Sequence, residues 1–207
     1  MKIRNTIGKI CIFIGLLCML AGLFYGGWNY YRGFRAGEQS ASILTDIQTF
    51  TAEKTESEPS VEILPDYVLT PEMEMPTIKV GDHSYIGEII IPDLNLELPV
   101  MADWSYPQLD ISPCRYMGSA YLDNLILMSH DYPQHFGYTY RLEKGARATF
   151  IDVEGNRFDY ELVNTEELWP TDVEILEKDS DAYDLTIFAC IYNGQMRTVG
   201  RFKRIRS

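Results

Sequence analysis

The chain has 207 residues, enough for one globular domain with accessory segments. Its 30 acidic against 18 basic residues leave a formal charge of −12. A balance of that sign excludes the electrostatic footprint of a nucleic-acid-binding protein.

Residues 1–36 contain the first element. No charged residue falls between Ile10 and Tyr25, and the apolar stretch extends from Ile7 to Tyr31. That length spans a bilayer core as a helix. Trp28, Tyr30 and Tyr31 at its outer end suit the aromatic belt of a membrane interface. Lys2, Arg4 and Lys9 precede the span and Arg32 and Arg35 follow it, a small bias that, with the α-amine, favours a cytoplasmic N-terminus. No small-x-small cleavage site follows, and the span is longer than a signal-peptide core, so an uncleaved single-pass anchor is expected. Cys11 and Cys18 are seven residues apart and share one helix face; they read as small packing residues.

Residues 37–84 change character. Glu, Ser, Thr and Pro dominate, and between Gly37 and Asp82 ten acidic residues face only Lys54 and Lys79. The composition predicts a solvated, extended, acidic linker outside the membrane, with a short helix around Ser42–Phe50.

Residues 85–207 carry the folded domain. Strands are predicted at Tyr85–Ile91, Leu96–Ala102, Leu125–His130, Arg147–Asp152, Arg157–Glu166, Leu185–Cys190 and Met196–Ile205. Asp152–Asn156 reads as a hairpin loop. Helical content is confined to Trp104–Leu109, a turn near Tyr138–Lys144, and Val173–Glu177. Many short strands and no long helices predict an all-β, closed or nearly closed barrel and exclude a parallel α/β sheet.

Three chemistry-bearing residues stand at strand ends. Cys190 closes the run Leu185–Cys190, His130 closes Leu125–His130, and Arg197 opens the final strand. An imidazole or guanidinium beside a thiol favours the nucleophilic thiolate. His130 is suited to protonating a leaving amine. Arg197 is suited to holding a carbonyl oxygen that becomes negative, and the backbone N–H of Ile191 is a candidate second donor. Each residue also has a plainer role. Cys190 reads equally as a buried apolar cysteine or as the disulfide partner of Cys114, His130 as a structural histidine, Arg197 as a solvated strand residue. Arg201 competes with Arg197, on the same strand face and roughly 13 Å further along, and His135 competes with His130. No metal-binding cluster, phosphate loop or serine elbow is present in the sequence pattern, and no cofactor is expected.

The stretches Leu125–Tyr132, His135–Gly137, Phe150–Asn156, Phe158–Glu161 and Thr186–Cys190, with the strand opening at Arg197, resemble the sortases. These are the membrane-anchored cysteine transpeptidases of Gram-positive bacteria. The similarity runs from about Tyr85 to Ile205. It implies an eight-stranded sortase-type β-barrel in which His130, Cys190 and Arg197 are the catalytic histidine, nucleophile and substrate-stabilising arginine. It implies further that the enzyme cleaves an LPXTG-like sorting signal of secreted surface proteins through a thioacyl intermediate. The acyl group then passes to an amine of a peptidoglycan precursor or, in pilus-building members, of a pilin. Ile187 and Ala189 depart from the family's usual Thr-Leu-x-Thr-Cys, and Ser129 replaces a common glycine. Ala189, Ser129 and Ile191 are accordingly expected substrate contacts. No second apolar span follows the barrel, which favours wall anchoring over pilus assembly; a non-catalytic peptide-binding barrel with a Cys114–Cys190 bridge is the rival. The resemblance places the catalytic domain outside the cell, held to the membrane by its N-terminal helix.

Overall fold

The computed structural model describes residues 2–57, 64–172, 174, 176, 182–191 and 194–206. Lys2–Ser57 form one unbroken helix, α1. Its first part is long and apolar enough to cross a membrane, and the protein buries none of that window. The expected extended linker does not begin where the span ends. Instead α1 continues and lays Ala36, Ser40, Leu44 and Ile47 against the barrel, all of them buried. Spacings of three and four residues put these side chains on one helical face. Glu38 and Asp46 occupy the exposed faces, so composition averaged over the segment conceals the apolar stripe.

Residues 58–63 lie outside the described set. After them the chain is again packed rather than solvated. A single helical turn, α2 (Asp66–Leu69), brings the Tyr67 ring onto Tyr121 at 4.6 Å and Phe158 at 5.4 Å between centroids. Met75 is buried in the core, and Ile78–Val80 form strand β1. The folded unit therefore starts before Tyr85.

Eight further strands follow: β2 (His83–Ile91), β3 (Leu96–Met101), β4 (Cys114–Met117), β5 (Leu125–His130), β6 (Arg147–Asp152), β7 (Arg157–Leu168), β8 (Leu185–Ile191) and β9 (Met196–Arg204). They run in the order β2-β3-β4-β5-β8-β9-β7-β6, and β6 returns to β2, so these eight close a barrel. Strand β1 extends the same edge of β2, pairing with residues ahead of those that meet β6. Closure brings two backbones together at Gly87, which has φ of 152° and pairs with Asp152. A Cβ there would collide with the Ile151 carbonyl. All seven predicted strands are present; β4 was missed because it is short and interrupted by a register shift. The helical turn α3 (Tyr106–Leu109) is capped by the Ser105 side chain. The turn expected at Tyr138–Lys144 is a 3-10 segment over Phe136–Arg141. Of Val173–Glu177, only Glu174 and Leu176 fall within the described residues, and both are helical.

Alternation along the strands builds two cores. Ile89, Leu127, Phe150, Phe158, Ile187 and Phe202 fill the barrel interior. Ile47, Tyr85, Cys114, Met128, Phe188 and Val199 form a second cluster on the outer face. The parallel pair β5 and β8 is thus buried on both sides, which explains their continuous apolar runs. Burying each of the phenylalanines contributes about 2–3 kcal/mol.

Candidate active site

Strand register assembles the site. On the parallel pair β5 and β8, His130 lies opposite Cys190; on the antiparallel pair β8 and β9, Cys190 lies opposite Arg197. Imidazole, thiol and guanidinium therefore share one row across three neighbouring strands, whose backbones run about 4.8 Å apart. The next row inward is Met128, Phe188 and Val199, which belongs to the outer cluster. The catalytic candidates thus stand where an apolar outer surface ends and the strands run into loops.

The row opens into a groove of about 560 Å³ lined by His130, Cys190 and Arg197 together with Trp104, Tyr116 and Phe188. Tyr116 packs edge-on against Phe188 at 5.5 Å and tilts towards Trp104 at 6.0 Å. Aromatic rings therefore line the groove beside the reactive groups. Arg197 is steadied by its own loop, with Nη1 donating to the carbonyls of Gly194 at 2.9 Å and Met196 at 3.0 Å.

Electrostatics modify the sequence expectation. Burial pushes the Cys190 thiol above its ordinary value, while the nearby Arg197 cation pulls the other way and Asp131 adds a smaller upward push. Burial pushes His130 down; Asp110 and Asp131 oppose it, and Arg32 adds to it. Desolvation disfavours both charged forms. Both shifts favour a thiol beside a neutral imidazole over the thiolate–imidazolium pair.

The competing residues separate clearly. All four cysteines are free. Cys114 is buried, its Sγ donates to the Ser112 carbonyl at 3.4 Å, and burial lifts its pKa to about 12, the condition of an inert core thiol. His135 is fully buried and its pKa falls to about 4, chiefly through burial. Arg201 is also sealed, its Nε donating to Glu166 at 2.7 Å and Nη1 to Thr186 at 3.3 Å. Among the arginines of β9, Arg197 is the one that lines the groove.

Ala189, Ser129 and Ile191 are not groove side chains. Alternation turns them to the face opposite Cys190 and His130. Ala189 is in the barrel core, so the hydroxyl missing there is lost from the interior and not from a substrate contact. Ser129 donates to the His130 carbonyl at 2.8 Å and accepts the Phe136 N–H at 3.1 Å, pinning the chain after β5. Sequence reasoning missed Trp104, Tyr116 and Asn29 as groove residues and Asp110 as a neighbour of His130. No local motif marks them, since the packing of α1, the loops around α3 and the short strand β4 brings them in.

A closed barrel carrying a free thiol between imidazole and guanidinium, behind a long apolar helix, has the layout of a thiol transpeptidase. A family model described as the Sortase domain matches residues 89–204. Sortase A of Bacillus anthracis is 23% identical over 192 residues, covering 88% of each chain. A Clostridium perfringens Sortase D5 transpeptidase superposes with a TM-score of 0.59 at 18% identity, over 82% of this chain and 99% of that one. Sortase C-3 of Streptococcus pneumoniae gives a TM-score of 0.52 at 19% identity, over 84% and 90%. The chain belongs to the sortase family, which implies a cysteine transpeptidase.

Proposed function

We propose that the protein cleaves an LPXTG-like sorting signal on secreted surface proteins and transfers them to an amine of the cell wall. The single observation that carries this reading is the His130–Cys190–Arg197 row at the mouth of one groove. The Cys190 thiolate attacks the scissile carbonyl carbon and a C–S bond forms. Arg197 and the backbone N–H of Ile191 receive the negative oxygen. The C–N bond then breaks, and the His130 imidazolium gives its proton to the departing amine. In the second half the acceptor amine attacks the thioester, His130 takes its proton, and Cys190 leaves as thiolate. The aromatic rings of Trp104, Tyr116 and Phe188 offer apolar surface to the peptide ahead of the scissile bond. A sorting-motif structure is known for a related fold, the Clostridium perfringens sortase C with its C-terminal cell wall sorting motif, at a TM-score of 0.52 and 17% identity.

The test is a panel of LPXTG-like peptides incubated with a wall-precursor amine. The wild-type chain is expected to yield an amide-linked transfer product, and Cys190→Ala none. Transfer by the alanine variant would rule the mechanism out; hydrolysis without transfer would make the protein a protease instead.

A further inference from the structure

The carboxylate beside the catalytic imidazole comes from a loop that no motif marks. Asp110 follows α3, and its Oδ1 lies 3.4 Å from His130 Nε2. The same oxygen accepts the Tyr132 hydroxyl at 2.9 Å and a guanidinium N–H of Arg32 at 2.5 Å. Arg32 belongs to α1 and is the first charge after the apolar span. Two turns later Ser40 donates to the carbonyl of Ile111, the residue next to Asp110, at 2.7 Å. The helix also lies close against the loop after β5, where its face is bare. A Cβ on Gly33 would lie 3.0 Å from Gln134 Oε1, and one on Gly37 3.2 Å from Gln134 Cγ. Gln134 sits in the chain just beyond His130, so the anchor helix braces both loops that flank the imidazole.

We propose that Asp110 is the positioning residue of His130, and that the membrane-anchor helix holds it in place through Arg32 and Ser40. This deepens the transpeptidase reading and rests on it. With the Asp110 carboxylate beside Nε2, the proposal assigns Nδ1 the exchange of protons with Cys190 and the leaving amine. The charged and titratable groups facing the ring are Asp110, Tyr132 and the buried His135 from the neighbouring loops, Asp131 beside it, Arg32 from α1, Cys190 from β8 and Arg197 from β9. Asp110 favours the imidazolium and Arg32 opposes it, so removing each moves the ring in opposite directions. The contact is partly exposed to solvent, which screens it. Its effect is therefore smaller than that of a buried triad carboxylate.

The experiment uses the full chain in nanodiscs, reading peptide transfer and the NMR titration of His130, assigned with His130→Gln. Asp110→Asn is expected to lower kcat about ten-fold with KM within about two-fold, and to move the His130 midpoint to lower pH. Asp110→Glu restores most of kcat. Arg32→Gln moves the midpoint the other way, to higher pH. The pair Arg32→Gln with Ser40→Ala lowers kcat several-fold despite that rise, because the loop is released. An Asp110→Asn variant that changes kcat or the midpoint alone, or neither, overturns the positioning role. Unchanged kcat in the double variant overturns the role of the helix. A wild-type chain that transfers no peptide would sink the transpeptidase reading, while the His130 titration would still decide the Asp110 contact.

Discussion

Cys190 is half-buried, and that burial sets how its nucleophilicity must vary with pH. Its pKa lies above the ordinary thiol range and that of His130 below the ordinary imidazole range. Alkylation by iodoacetamide should therefore rise with pH through a midpoint above about 8.5. Arg197 stabilises the thiolate, so Arg197→Gln should push the midpoint higher and slow alkylation at pH 8 several-fold. A midpoint at or below the ordinary thiol value would contradict this. In the proposed mechanism transfer needs His130 protonated and Cys190 ionised, so kcat/KM should be bell-shaped. The rising limb follows the lower, imidazole midpoint and the falling limb the higher, thiol midpoint. Residue types at strand ends made the row legible beforehand. Which face Ser129 and Ala189 occupy was equally legible from two-residue alternation, yet their departure from the family's usual motif pointed to substrate contact. Asp110 was not legible, because nothing local distinguishes it from any exposed loop carboxylate.

At the scale of elements, α1 carries both an apolar stretch long enough to cross a membrane and a packing surface against the barrel. Its outer half is the clearest departure from the sequence reading, and composition was the wrong measure there. The three-to-four spacing of Ala36, Ser40, Leu44 and Ile47 was present in the sequence but obscured by surrounding Glu, Ser and Thr. Ile47 is almost fully buried in the outer cluster. Ile47→Ala should destabilise the purified chain by about 2 kcal/mol in urea unfolding, at the low end for a core truncation, since the site is at a helix–barrel seam. Asp46→Ala, on the exposed face, should stay within about 0.5 kcal/mol. Equal effects of the two would mean that the helix does not dock. The parallel pair β5–β8 has a different role. By ending side by side, these strands deliver His130 and Cys190 to the same edge without any helix between them in the sheet.

For the whole molecule, barrel closure is one global constraint, and the proposed membrane attachment through the apolar part of α1 is the other. Closure runs through Gly87, where a side chain meets the Ile151 backbone at a φ that L residues rarely adopt. Gly87→Ala should cost more than about 2 kcal/mol or prevent folding. A stability unchanged in thermal unfolding would show that the β2–β6 seam yields easily. Attachment places the barrel outside the cell in the proposed topology. An impermeant thiol probe added to intact cells should then label Cys190 in the wild type and lose that label in Cys190→Ala. Labelling that requires lysis would reverse the orientation.

Sequence alone determined what is local: an apolar span of bilayer length, seven strands by their pattern, and the thiol, imidazole and guanidinium at their ends. These follow from side-chain type and period, which a single chain carries without knowing its neighbours. Only the tertiary structure decided that α1 continues past its apolar stretch onto the barrel, that Arg201 and His135 are sealed, and that Asp110 and Arg32 meet the imidazole. Those outcomes depend on residues up to about a hundred positions apart (Arg32 and His130) being brought together by packing, and on burial, which sets protonation through desolvation and is a property of the surroundings and not of the residue.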